Sequence, residues 1–293
     1  MFQKILLCTD SSNQALCATH LAVDLACRTN AHINLVRVLD PFLATGPYAY
    51  IPESGLSAEI PMQCALEDQQ IVLQGAAKIL EQANVSYSSF AERGQPVDRI
   101  HRLAKQEKVD LIVIGSRGLS AWPALLLGSV SEGVAHHALC PVLIVRGEPK
   151  GFHQVVIASD GSIGANHALR AGMELAKDYN AELSIVNVFQ PLTIYPGVST
   201  DDFDPVVYAA KVQEAIARQV APIAREKGVS YRLCQASGHP AETLVNFATK
   251  QKADLIVIGS RGMGGFQRLL LGSVSASVLH HAHCSVLVMR AIT

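Results

Sequence analysis

The stretch Asp110-Leu-Ile-Val-Ile-Gly-Ser-Arg-Gly118 returns unchanged as Asp254-Leu-Ile-Val-Ile-Gly-Ser-Arg-Gly262. Downstream, Leu125-Leu-Leu-Gly-Ser-Val-Ser131 returns as Leu269-Leu-Leu-Gly-Ser-Val-Ser275, and His136-His137-Ala138 as His280-His281-Ala282. Such runs are a duplication and not a coincidence. Upstream, Asp10 pairs with Asp160 and Ala31 with Ala181. The first copy is slightly longer, and its Pro-rich stretch Asp40–Pro61 is the natural place for the extra residues. The period of about 145 residues far exceeds the roughly 20–50 of a solenoid unit. Each copy is therefore expected to be a complete domain, 1–148 and 149–293. They meet at Gly147-Glu148-Pro149-Lys150-Gly151, where Gly and Pro break the pattern.

Within each copy, apolar runs alternate with helical stretches. Lys4–Thr9 and Gln154–Ser159 read as first strands, followed by helices with small residues at every fourth position: Ala18, Ala22 and Ala26, or Ala168, Gly172 and Ala176. Second strands fit His32–Val38 and Glu182–Val188, long helices about 63–83 and 208–227, and third strands 86–92 and 230–235. Gly94-Gln95-Pro96 and Gly238-His239-Pro240 open further helices, since Pro is tolerated in a first helical turn. The fourth strands, 110–114 and 254–258, are apolar throughout after the Asp. Continuous apolar strands imply burial on both faces, hence parallel sheets covered by helices. Helices from Ser129 and Ser273 lead to fifth strands at 142–145 and 286–289. The fold class is α/β, two doubly wound parallel sheets in tandem.

Composition narrows the function. The 293 residues are 49% hydrophobic and 17% charged, ample for two cores. Lys+Arg number 24 and Asp+Glu 25, a formal net charge of -1. A nucleic-acid partner would call for a basic excess, so none is expected. No window approaches the run of about 18 apolar residues that spans a bilayer, so no membrane partner is expected either. The opening residues Met1–Leu7 lack the features of a secretory signal, which predicts a cytoplasmic location. Seven cysteines without CxxC spacing fit small buried side chains in a reducing compartment.

In open parallel sheets, ligands bind beyond the carboxyl ends of the strands, where strand order reverses. Three segments end there in each copy: Asp10 or Asp160 after the first strand; Gly115-Ser116-Arg117-Gly118 or Gly259-Ser260-Arg261-Gly262 after the fourth; and Gly128-Ser129-Val130-Ser131 or Gly272-Ser273-Val274-Ser275 before the last helix. The last two form one pattern, Gly-x-x-Gly, nine residues, then Gly-Ser, obeyed twice. Its chemistry is anion binding. Glycines permit positive φ and close backbone approach. The helix after Gly128 or Gly272 offers free N–H groups and a partial positive charge. The hydroxyls of Ser129, Ser131, Ser273 and Ser275 add donors. Asp10 and Asp160 suit either a helix N-cap or an acceptor for ribose hydroxyls or phosphate-borne Mg²⁺, and their position favours the ligand role. Arg117 and Arg261 are placed to touch phosphate or to face solvent from a turn.

These residues carry a resemblance. The opening Lys4-Ile-Leu-Leu-Cys-Thr-Asp10 with its copy ending at Asp160, the glycine pattern twice over, and the closing His136-His-Ala-Leu-Cys-Pro-Val-Leu-Ile-Val-Arg146 with its copy to Arg290 resemble the universal stress protein family, as a tandem pair. The resemblance implies Rossmann-like five-stranded sheets ordered 3-2-1-4-5 and ATP binding in members that carry the glycine pattern. It places adenine against the Val38 or Val188 backbone, phosphates and ribose on the glycine pattern and its serines, and Asp10 or Asp160 completing the pocket. The first copy departs at Ser11, where Gly161 stands in the second. A Ser there is expected to resist a bend that Gly makes freely.

No lysine follows Gly128 or Gly272, so the loop is not of Walker type. No base is visible to activate water, which predicts ATP binding with little or slow hydrolysis and no catalytic residue. The rivals are a nucleotide-dependent enzyme, a transferase or pyrophosphatase on this fold, and a nucleotide-free interaction scaffold. The His136, His137, Cys140 and His280, His281, His283, Cys284 clusters suggest zinc. Adjacent helix positions diverge by about 100°, however, so structural roles at a helix C-terminus are expected instead. Apolar fifth strands at sheet edges favour association: a pseudo-dimer of the two halves, and a homodimer of chains.

Overall fold

The computed structural model describes residues 1–42, 59–118, 127–148, 151–190, 205–262 and 271–290. The chain divides into two compact units, Met1–Lys150 and Gly151–Thr293. Most of Asp40–Pro61 lies outside the described residues.

In unit 1 the elements run β1 (Lys4–Cys8), α1 (Asn13–Thr29), β2 (His32–Leu39), α2 (Glu59–Gln82), β3 (Tyr87–Arg93), α3 (Pro96–Gln106), β4 (Leu111–Gly115), α4 (Ser129–His137) and β5 (Val142–Val145). Unit 2 repeats them as β6 (Gln154–Ala158), α5 (Ile163–Tyr179), β7 (Glu182–Phe189), α6 (Pro205–Lys227), β8 (Arg232–Ser237), α7 (Pro240–Lys250), β9 (Leu255–Gly259), α8 (Ser273–His281) and β10 (Ser285–Met289). Helices α2 and α6 begin a few residues before the sequence pattern indicates. Unit 1 orders its strands β3-β2-β1-β4-β5 and unit 2 β8-β7-β6-β9-β10, all parallel. This is the 3-2-1-4-5 order that the resemblance implies.

Register puts Leu7 beside Leu35 and Val113, so one face of the first sheet is aliphatic at its centre; on the other face Leu6 lies between Ile112 and the buried Asn34. Every residue of β4 and of β9 is buried. The small-residue stripes do what spacing predicts: Ala18, Ala22 and Ala26 are buried in α1, and Ala168 and Ala176 in α5. Gly172 shows how tight that approach is, because a Cβ there would lie 2.5 Å from Ile157 Cδ1. Asp110 and Asp254 have a structural task. The Asp110 carboxylate accepts from the amides of Gln3 and Lys4 (2.8 and 3.1 Å), and that of Asp254 from His153 and Gln154 (2.7 and 2.9 Å). Each ties the start of a central strand to its neighbour at the end of the sheet away from the Gly-rich loops.

Candidate functional site

At the carboxyl end of each sheet the chain turns three times, and each turn is fixed by local chemistry. The first follows β1 or β6. Ser12 and Ser162 are the N-caps of α1 and α5, their hydroxyls accepting from Ala15 and Ala165 N–H (3.1 and 3.2 Å). The N-cap role considered for Asp10 and Asp160 thus belongs to the serine two residues on. Each Asp instead closes a turn, Oδ1 accepting from Ser12 or Ser162 N–H at 2.9 or 3.0 Å. The expected clash at Ser11 does not occur. Gly161 takes φ +82°, but Ser11 stays out of the left-handed region, and both corners still make the same carboxylate bond.

The second turn follows β4 or β9. Its glycines are there for close approach and not for positive φ, which none of Gly115, Gly118, Gly259 and Gly262 adopts. A Cβ on Gly115 would stand 2.8 Å from the backbone of Gln14, and one on Gly259 2.7 Å from that of Gly164. A Cβ on Gly118 would fall 2.5 Å from Asp10 Oδ2, and one on Gly262 would collide with Asp160 Oδ2. The missing methyl is what brings the carboxylate against the loop backbone.

The third turn opens α4 or α8. The N-cap is Gly128 or Gly272, at φ -70° and -79°, with no side-chain cap bond. Gly128 N–H bonds Ser116 O, and Gly272 N–H bonds Ser260 O (2.9 and 2.7 Å), which anchors the cap to the second turn. The first helical bonds run from Glu132 and Ala276 to the cap carbonyls (2.8 and 2.9 Å). The amides of Ser129, Val130 and Ser131, and of Ser273, Val274 and Ser275, are thus left without a partner among the described residues. A helix start whose cap residue has no side chain leaves its N–H groups open to water or a ligand. The hydroxyls divide differently from expectation. Ser131 Oγ donates to Gly115 O (2.7 Å), and Ser275 Oγ lies 3.0 Å from Ser260 O and 2.9 Å from Gly272 O, so both protons hold the loop. Ser129 and Ser273 are exposed and keep theirs.

These turns surround one cavity per unit, of about 480 Å³ in unit 1 and about 550 Å³ in unit 2. Both volumes suit a small-molecule ligand. The unit 1 cavity gathers Asp10, Val38, Gly115, Arg117, Gly118, Gly128, Ser129, Val130 and Ser131. The unit 2 cavity gathers Asp160, Val188, Gly259, Arg261, Gly262, Gly272, Ser273, Val274 and Ser275. The Asp, Val, Arg, Gly-x-x-Gly glycines and Gly-Ser-Val-Ser residues expected at the site all line these cavities, whereas Ser116 and Ser260 do not. Sequence reasoning missed the opposite wall: Pro96 and Ile100, or Pro240 and Leu244, from the helix after the third strand. It also missed Arg37 and Asn187, each just before the valine expected to meet a base. A polar residue inside an apolar strand was the available signal.

The histidines sit elsewhere. His137 Nδ1 lies 2.9 Å from Gly133 O and His281 Nδ1 2.7 Å from Ser277 O, bonds within the last helical turn. Among the described residues, no three His, Cys, Asp or Glu side chains are placed to share a metal. No described helix is long and apolar enough to cross a membrane.

A doubly wound parallel sheet with an uncapped helix start and a glycine loop at its carboxyl end defines an α/β protein of the Rossmann-like class. Comparison with known proteins makes this more specific. The universal stress protein family model matches residues 1–146 and again 151–290, and the chain belongs to that family, as a tandem member. A universal stress protein of Mycobacterium bovis is 30% identical over 282 residues, covering 92% of this chain and 90% of its own. One of Methanocaldococcus jannaschii is 35% identical over 149 residues, 50% of this chain and 87% of its own. The crystal structure of a universal stress protein from Archaeoglobus fulgidus superposes with a TM-score of 0.72 at 25% identity, covering 98% of each chain.

Proposed function

We propose that each unit binds ATP, with its phosphates on the free amides at the start of α4 or α8. The observation that carries this reading is the pair of Gly-capped helices opening into the cavities. Three unpaired N–H groups and the positive end of a helix meet in one place, a combination suited to a phosphate chain. The residues fit the rest of the molecule. Pro96 and Ile100, or Pro240 and Leu244, offer an apolar wall to a purine. Val38 and Val188 stand where a strand backbone can read its edge, and Asp10 and Asp160 accept from ribose hydroxyls or hold Mg²⁺. ATP so held supplies the chain with a ligand-dependent state, the form a stress-response regulator needs. Fast turnover is not expected, because among the described residues the carboxylates common to both cavities, Asp10 and Asp160, are held by Ser12 or Ser162 N–H rather than set to activate water. Pairing of two chains into a homodimer belongs to the same reading, and light scattering that returned a monomer would remove it.

Calorimetric titration with ATP tests the proposal. Binding at two sites per chain is expected, with steady-state hydrolysis below about 1 s⁻¹, the low end of enzyme turnover. No binding would favour a nucleotide-free scaffold, and rapid product formation an enzyme.

A further inference from the structure

The two cavities share a phosphate floor but differ at the other end. Asn187 precedes Val188 on β7, as Arg37 precedes Val38 on β2. Asn187 is 5% exposed and lines the unit 2 cavity. Its Nδ2 donates to Ser159 O at 2.9 Å, and since a carbonyl can only accept, that bond fixes which way the amide points. Its Oδ1 is then a buried acceptor with no partner, a costly state unless a ligand supplies a donor. In unit 1 the half-buried Arg37 lines the cavity, and its buried Nε–H has no partner either. Arg37 carries donors and no acceptor. Asp40 and Asp68 line the same cavity, whereas Asp160 is the one carboxylate lining that of unit 2 among the described residues.

The bases differ in the same sense. Adenine presents an exocyclic amine, N6, and Asn is its matching side chain; guanine presents O6, and Arg is its match. Guanine also carries N–H donors at N1 and N2, which a carboxylate accepts. We infer that the two units read different purines. Unit 2 selects adenine through Asn187 Oδ1, and unit 1, with Arg37 beside Asp40 and Asp68, takes guanine at least as well as adenine. The inference rests on the nucleotide-binding reading above and adds a base preference to each site.

The test uses the full chain with one site silenced at a time. Ser129→Asp or Ser273→Asp puts a carboxylate where phosphate would lie, at an exposed first-turn position where an acidic residue suits the helix. Gly128→Val and Gly272→Val form a second pair. Titration with Mg-ATP and Mg-GTP is the readout. With unit 1 silenced, the chain should bind ATP about tenfold or more tightly than GTP, the scale of one unmatched buried hydrogen bond. With unit 2 silenced, GTP should bind at least as tightly as ATP. Adding Asn187→Ala to the first background should bring the ATP/GTP ratio to about one. Adding Arg37→Asn to the second should turn the preference to ATP. A ratio is the right measure because lost folding weakens both nucleotides alike. The same ATP preference in both units would overturn the inference and leave nucleotide binding standing. No binding of either nucleotide by the unaltered chain would overturn both.

Discussion

Units 1 and 2 agree where backbone geometry does the work and part where side chains would read a ligand. In both, a glycine lets an Asp carboxylate close on the loop, and a Gly cap leaves the same three amides free. In both, the second serine of Gly-Ser-x-Ser is bonded inward. At the other end, Arg37 faces Asn187 across the alignment, and unit 1 adds two carboxylates. An anchor made of backbone amides is fixed by close approach at Gly115, Gly118, Gly259 and Gly262. A base-reading wall made of side chains can change its preference by one residue without disturbing the sheet. On the proposed reading, duplication has kept one anchor in both units and let the selectivity of each diverge.

The sharpest way to break that comparison is at the shared anchor. Gly115→Val and Gly259→Val would drive side chains into the backbone that begins α1 and α5, which cannot yield as a flexible side chain does. Each should destabilise its unit by about 3 kcal/mol, at the upper end of overpacking costs. Calorimetric unfolding should show equal losses, and a marked inequality would mean the anchors are not equivalent. Gly118→Ala and Gly262→Ala act more gently, because the added methyl meets the end of a carboxylate. Folding should survive, while displacement of Asp10 or Asp160 weakens ATP binding about tenfold at that unit, the equivalent of one lost hydrogen bond. Titration of each variant checks it, and unchanged affinity would remove the Asp from the site. At the first corner the units should separate. Gly161→Ser forces a side chain to φ +82° and should cost about 1 kcal/mol, whereas Ser11→Gly relieves no strain and should change stability by only a few tenths.

Much of this was legible in the residues themselves. The apolar run after Asp110 and Asp254 could only be a strand buried on both faces, and the duplication gave two independent readings of each turn. The place of the glycine loops at the cavities was legible because glycines mark close approach, even though the expected positive φ belongs to Gly161 and not to the loop glycines. The apolar cavity walls were not legible. Pro96 and Ile100 reach the cavity from a helix whose distance from Gly128 no spacing reveals. Nor could sequence assign the serine protons, since an outward or an inward hydroxyl leaves the same letters. Ser12, not Asp10, caps α1 because the turn that Asp10 closes carries the chain two residues further before the helix begins.

The smallest expected effect lies one strand inward. Cys8 occupies in β1 the place of Ala158 in β6, and both line their cavities. Burial pushes the Cys8 thiol well above its ordinary range, and the neighbouring Cys140 and Asp10 push it the same way. In the native chain, iodoacetamide at mildly alkaline pH should modify the exposed Cys27 and Cys64 and spare Cys8 until the protein unfolds. The linkage has a definite sign. The folded thiol keeps its proton at a pH where the unfolded one has lost it, so the Cys8 contribution to stability is flat through neutral pH and declines as pH climbs past about 8.5. The decline should stay under about 1 kcal/mol at pH 9. Cys8→Ala installs the residue of unit 2 and should flatten the slope in denaturant titrations run at pH 7 and pH 9. An unchanged slope would place its source outside the Cys8 thiol and leave the two cavity floors alike in their response to pH.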